Sequence, residues 1–258
     1  MTTRIQDAFD HAKSENRAAF IGYLPAGYPT SESFLEHAKV LLESADLLEI
    51  GLPYSDPLGD GPTIQRASEV SLLGGMTVEG TFEQARALRQ HTDKPLLIMT
   101  YYNPILATGE ESFIASAVEA GIDGLILPDL PPDEADTLIS LANAAGLKLT
   151  FLLAPTSTTD RIKLVTENCT GFIYAVSVTG VTGARAIVPT EVPDLVARIK
   201  AISDKPVAVG FGVADAQTAH GIAQVADGVV VGSVLVTLAG KGESLQAKAQ
   251  EILKGCKR

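Results

Sequence analysis

The chain has no tryptophan, and phenylalanine and tyrosine together make up only 5% of its 258 residues. A surface that stacks nucleic-acid bases needs aromatic side chains, so this scarcity argues against one. Positive charge is also short. Lys and Arg number 20 against 31 Asp and Glu, a formal net charge of −11. A phosphate backbone calls for a basic face, which argues against nucleic acid as a partner. An anionic small molecule stays open, because a local site can be positive in an acidic protein. The two cysteines, Cys169 and Cys256, have no metal-type spacing. They read as an ordinary thiol and a second one near a frayed tail, in a reducing compartment. No apolar run approaches the ~20 residues that a membrane span needs. The N-terminal segment MTTRIQDAFDHAKSENR is polar with a helical pattern, unlike a signal peptide. The expected location is the cytoplasm.

What is present is organised around LEIGLPYSDPLGDGPTIQ, residues 48–65. It opens as an apolar strand with a carboxylate, Glu49, inside it. It then becomes a loop rich in proline and glycine with two further acids, Asp56 and Asp60. A carboxylate within an apolar strand costs several kcal/mol unless it is paired, protonated or at a wet end.

Around this stretch, strand-like and helix-like segments alternate. After a short helix over 3–15, strand candidates fall at 18–24, 46–51, 95–103, 120–129, 147–155, 171–177, 205–212 and 227–233. Segments of helical periodicity separate them, at 31–44, 63–73, 81–90, 110–120, 132–145, 159–168, 189–202 and 214–226, with a last one at 245–253. The strands are short continuous apolar runs, as in parallel sheets covered on both faces. Eight such units in about 250 residues, with no linker between them, predict an α/β fold: a single (β/α)8 TIM barrel with an extra N-terminal helix, spanning 1–258 as one domain. An open doubly wound sheet is the competing fold. Its glycine-rich first turn would be replaced here by LPAGYP, which lacks the required spacing.

In a barrel the C-terminal strand ends share one face, where active sites form. That face gathers Glu49, the Asp60 loop, Tyr101–Tyr102–Asn103, Asp129 and Tyr174. Three glycine clusters, GVTG (180–183), GFG (210–212) and VGS (231–233), follow strands six, seven and eight. Glycine lets backbone N–H groups approach an anion, and the last loops of barrels commonly hold phosphate. A phosphorylated substrate is therefore expected. Glu49 at a strand end would be partly desolvated and suited to proton transfer near neutral pH, unless it is a paired structural acid. Asp60 and Asp56 could equally be turn formers, and Asp129 reads first as structural. His11, His37, His91 and His220 all fall in predicted helices away from strand ends. No cluster has metal spacing, and no lysine ends a strand, which disfavours a Schiff base. Carbon–carbon cleavage, if it occurs, would need acid–base catalysis on a substrate able to hold the electrons.

The stretch LEIGLPYSDPLGDGPTIQ resembles the signature of the tryptophan synthase alpha subunit family, and YYNPI, GVTG, GFG and VGS follow in order and spacing. The resemblance covers nearly the whole chain. It implies a (β/α)8 barrel that cleaves indole-3-glycerol phosphate to indole and glyceraldehyde 3-phosphate. It implies that Glu49 is the acid–base residue and that Asp60 holds the indole N–H. Tyr174 and Thr182 would lie beside the substrate, and Tyr23, Ile64, Met99, Ile126, Leu152 and Phe211 would line the indole pocket. Gly183, Gly212, Gly232 and Ser233 would hold the phosphate. It implies a beta subunit as partner in an α2β2 complex, contacted through Pro53, Asp56 and the loop after strand six. Pyridoxal phosphate would sit in that partner, with no cofactor in this chain. The sequence departs from the usual family pattern at Tyr23 (commonly Phe), Gly59 (commonly Ala) and Val178 (commonly Arg); Arg185, just past GVTG, could supply part of that charge. Competing readings are a stand-alone indole-releasing lyase, a phosphate-barrel isomerase and a non-catalytic activator. The isomerase would need Asp at the ends of strands one and five, where the chain has YLPAG and LLAPT. The activator would be expected to lack Glu49 or Asp60, and both are present.

Overall fold

The computed structural model describes residues 3–176, 191–210 and 212–258. Its first half runs α1 (Arg4–Ser14), β1 (Ala19–Pro25), α2 (Ser31–Leu42), β2 (Leu47–Gly51), α3 (Pro62–Leu73), α4 (Val78–Arg89), β3 (Leu96–Met99), α5 (Tyr102–Thr108), α6 (Glu110–Glu119) and β4 (Gly124–Leu127). The second half runs α7 (Asp136–Ala145), β5 (Lys148–Leu153), α8 (Thr159–Asn168), β6 (Ile173–Val176), α9 (Glu191–Lys200), β7 (Val207–Gly210), α10 (Ala216–Ala223), β8 (Gly228–Val231), α11 (Ser233–Gly240) and α12 (Gln246–Gly255). Each strand pairs in parallel with the next, and β8 closes on β1 through Ala19–Gly228 to Gly22–Val231.

Two apolar layers follow from the two-residue strand period. Phe20, Leu24, Leu48, Ile50, Leu96 and Ile98 face outward into the layer shared with the helices. Ile21, Leu47, Leu97, Ile126, Phe172, Ala208 and Val230 face the barrel axis. Helix α1 floors this inner layer. Thr3 caps it by accepting from the Gln6 N–H at 3.3 Å, and its buried stripe of Ile5, Phe9 and Ala12 plugs the N-terminal end of the barrel. Only the opposite end is left for chemistry.

A repeated polar device fixes the strand starts on the floor side. Asp46, Asp123 and Asp227 precede β2, β4 and β8. Their carboxylates accept the N–H of Phe20 at 2.7 Å, Leu96 at 2.9 Å and Val207 at 3.1 Å on the preceding odd strand. Before β6 the Thr170 hydroxyl does the same for Leu149 at 2.9 Å. The tripeptide Asp-Lys-Pro also recurs before β3 (93–95) and β7 (204–206). Lys94 donates to the carbonyls of Leu42 and Ala45, and Lys205 to those of Thr166 and Cys169, closing equivalent helix ends half a barrel apart. The two halves thus share one N-terminal design.

The structure corrects four expectations. The third strand stops at Met99, so Tyr102 and Asn103 belong to α5. Both oxygens of Asp129 accept the Tyr102 N–H, at 3.0 and 3.1 Å, and this cap from a distant loop lets a helix start where the sequence reads as a strand end. Residues 233–240 form α11, which has no expected counterpart because its apolar sequence continues that of β8. His91 lies in the turn after α4, its N–H bonded to the Leu88 carbonyl at 2.8 Å. The C-terminal tail is pinned, not frayed. The Cys256 carbonyl accepts from Ala18 N–H at 2.9 Å, Arg258 N–H reaches Asn16, and the Cys256 side chain is fully buried.

The Arg17–Asp46 pair is the most buried element of the floor network, bonded at 2.8 Å through a second guanidinium nitrogen. Asp46→Ala would strip the buried Arg17 guanidinium of its buried carboxylate, leaving it only Glu15 and the Ala18 carbonyl, and would leave the Phe20 N–H unpaired. Chemical denaturation should report a loss of about 3–5 kcal/mol, against less than about 1 kcal/mol for removing the exposed partner in Arg66–Glu69.

Candidate active site

At the open end, β2 presents Leu47, Glu49 and Gly51 inward. Glu49 is therefore one inward position below the strand end. It has 0% exposure, and is fully buried where the sequence suggested partial desolvation. The cover is aromatic. Tyr23 of β1 lies opposite Glu49 in register, and its hydroxyl end packs over Gly51, where any β-carbon would collide with it. Gly210 makes the same room for the Tyr174 hydroxyl across the barrel. The sequence reading singled out the stretches that hold these two glycines but did not assign them this role. Their signal is a glycine on the inward period of a strand at the height where a tyrosine must fit.

Among the described residues neither oxygen of Glu49 has a hydrogen-bond partner. Burial without compensation disfavours the anion and pushes its pKa up to about 8. Asp60 has a different setting. It ends the loop before α3, its N–H bonded to the Pro57 carbonyl at 3.0 Å, and Gly61 and Pro62 then start the helix. Half-buried, its carboxyl is raised to about 6 by desolvation, opposed by a hydrogen bond from Tyr101. Burial raises the pKa of Tyr23 and Tyr174, and both carboxylates add to that rise. Near neutral pH one carboxyl keeps its proton and the other does not. That division equips a site for acid and base work at once.

The remaining expected residues gather partly. Ile64 of α3 and Tyr23 converge at Gly232, where a β-carbon would lie 3.7 Å from Ile64 Cδ1 and 3.3 Å from Tyr23 Cδ1. Met99 pairs with Ile126 and Leu152 with Tyr174 on adjacent strands. Ile126 is buried, whereas Met99 and Leu152 are half-buried. Gly212, with φ of 58°, follows β7, and Gly232 and Ser233 open α11 after β8. Thr182, Gly183 and Phe211 lie outside the described residues, as do Val178 and Arg185. In the β2–α3 loop Asp56 is exposed, whereas Pro53 is buried within this chain. The protruding apolar residue is instead Leu58, 91% exposed, which the sequence reading did not single out. Among the described residues no three His, Cys, Asp or Glu side chains are grouped to hold a metal ion, and no helix is long and apolar enough to cross a membrane.

Residues 9–257 match the family described as tryptophan synthase alpha chain. The chain belongs to that family. The alpha chain of Deinococcus radiodurans is 55% identical over 99% of this chain and 95% of its own length. That of Aquifex aeolicus is 47% identical over 98% of each. A crystal form of Mycobacterium tuberculosis tryptophan synthase superposes with a TM-score of 0.94 at 43% identity, covering 100% of both chains. The eight-stranded barrel is thus the alpha-chain barrel, and the buried Glu49 stands on its second strand.

The raised Glu49 pKa makes stability depend on pH. The unfolded chain loses this proton near 4.5, while the native carboxyl keeps it up to about 8. Raising the pH through that window therefore favours unfolding, and above about 8 the penalty levels off. Glu49→Gln should consequently gain stability over the wild type as pH rises from 5 to 8, by roughly 2–5 kcal/mol at pH 8. Denaturation midpoints measured across that range check this.

Proposed function

We propose that Glu49 and Asp60 divide the work of cleaving indole-3-glycerol phosphate, the lyase reaction of the tryptophan synthase alpha chain. The observation that carries this reading is a fully buried carboxyl, unpaired among the described residues, with a second, half-buried carboxyl on the loop that follows its strand at the open end of a floored barrel. Glu49 begins protonated and gives its proton to the indole carbon that bears the glycerol side chain. The ring becomes a cation with its charge centred at nitrogen. Asp60, ionised, accepts the indole N–H and stabilises that charge, an electrostatic contribution strengthened by exclusion of water. The Glu49 carboxylate then removes the proton of the adjacent side-chain hydroxyl. The carbon–carbon bond breaks, its electron pair restores the neutral indole, and the aldehyde of glyceraldehyde 3-phosphate forms. Glu49 ends with the proton count it began with. The ring cation is the electron sink that a Schiff base supplies in other aldol cleavages.

Tyr23, Ile64, Met99, Ile126, Leu152, Tyr174 and, by resemblance, Phe211 and Thr182 form the indole side of the site. The phosphate lies toward Gly212, Gly232 and Ser233 at the α11 N-terminus, with Gly183 added by resemblance. The released indole passes to a beta subunit that carries pyridoxal phosphate, in an α2β2 assembly in the cytoplasm. The chain's exposed contribution to that contact is Asp56 with Leu58, while the buried Pro53 shapes the loop from within.

Turnover of indole-3-glycerol phosphate by the full chain, with and without a beta partner, tests the roles. Glu49→Gln should lose nearly all turnover while retaining substrate binding, because proton transfer goes but shape and neutrality remain. Asp60→Asn should fall by about 100-fold or more. The wild-type kcat/KM should be bell-shaped, rising near pH 6 and falling near pH 8, from the two carboxyl values. An active Glu49→Gln would remove its assigned role.

A further inference from the structure

Tyr101 stands at the end of β3, directly beside the loop that carries Asp60. Its hydroxyl oxygen accepts the Gly59 N–H at 2.9 Å. Asp60 is the next residue along the chain, and the Tyr101 phenol counters the rise that burial gives its carboxyl pKa. With its oxygen taken by a donor, the phenol has one proton to give, and an ionised carboxylate is the acceptor in front of it. The ring is held from behind. Tyr54 packs against it with centroids 5.3 Å apart, and Asn103 Nδ2 donates to the Tyr54 hydroxyl at 3.1 Å. Glycine at 59 leaves the approach open, since a β-carbon there would lie 3.1 Å from the Tyr101 oxygen. Tyr101 is itself 7% exposed, so water does not substitute readily for the phenol.

We infer that Tyr101 is the positioning residue for Asp60: its phenol anchors the Gly59 backbone and, by donating to the carboxylate on the next residue, fixes where that carboxylate points. The inference rests on the reading of Asp60 as the group that stabilises the indole cation. It extends that reading to a residue in the opposite wall of the loop, 41 positions along the chain from Asp60. A hydrogen bond to a charged group that is made in a partly buried setting favours the anion over the neutral acid. Removing it leaves Asp60 in the same desolvated place without that support. Asp60 would then hold its proton to higher pH and be inactive over more of the working range.

Tyr101→Phe keeps the ring and its packing on Tyr54 and deletes only the oxygen. In the full chain cleaving indole-3-glycerol phosphate, it should lower kcat at pH 7 by roughly tenfold with KM within about twofold. The acid limb of its pH profile should move up by about one pH unit, so that part of the loss is recovered at pH 8. A change of packing alone would not shift that limb. Added to Asp60→Asn, the same substitution should cost less than about twofold, because its target is already gone. A Tyr101→Phe enzyme with wild-type kcat and acid limb, alongside an impaired Asp60→Asn, overturns the inference while leaving Asp60 in its role. Equal losses from Tyr101→Phe in the wild-type and Asp60→Asn backgrounds also overturn it. Wild-type turnover by Asp60→Asn removes the reading beneath it, and the inference with it.

Discussion

A carboxyl group buried without a partner among the described residues is the constraint on which the rest of this barrel turns. Glu49 sits in a strand whose other residues are all apolar or glycine, among an inner layer of aliphatic and aromatic side chains. In that place an anion is too costly, so the group keeps its proton to about pH 8. The neighbouring choices follow from this. The tyrosine on the adjacent strand covers it, glycine stands at the strand end to admit the tyrosine, and helix α1 seals the far side against water. The strain of holding Glu49 neutral is offset by the large apolar core on both faces of the sheet.

Asp60 shows how the same residue chemistry is given the opposite proton state a short distance away. It comes from a loop, not a strand, and a phenol faces it. The contrast between the two carboxyls is one of surroundings. One is enclosed by hydrocarbon and rings, and the other meets a donor and the edge of solvent. The elements that set this contrast come from three consecutive strands, β1, β2 and β3, and the loops above them. In the proposed reading the phosphate end is built on β7 and β8, the latter paired with β1. Anchoring at β8 would therefore place a phosphorylated substrate next to the strands that carry the two carboxyls, because the closed barrel brings β8 against β1.

Much of this was legible in the chain itself, for identifiable reasons. Each strand is a short apolar run bounded by a helix of regular period, so the eight units and their order could be read directly. Glu49 stood out because its neighbours were wrong for it. What escaped depends on contacts between distant segments. Helix α5 starts at Tyr102 with a cap from Asp129, 27 residues away, and contains Tyr102 and Asn103, which read as the end of the third strand. Helix α11 packs against α3, α2 and β1, so its apolar residues show no one-sided stripe. The Tyr101 contact requires that β3 end beside the β2 loop, and pinning of the C-terminus requires that β1 begin beside Cys256. Such facts belong to topology, and local patterns do not carry them.

The most direct test of the central claim is the protonation state of Glu49 in the resting chain. Infrared difference spectra between the wild type and Glu49→Gln, recorded from pH 5 to 9, isolate the carbonyl stretch of this one protonated carboxyl. The account predicts that the band is present at pH 7 and half lost near pH 8. A band already absent at pH 6 would show Glu49 ionised in its apolar setting and would contradict it.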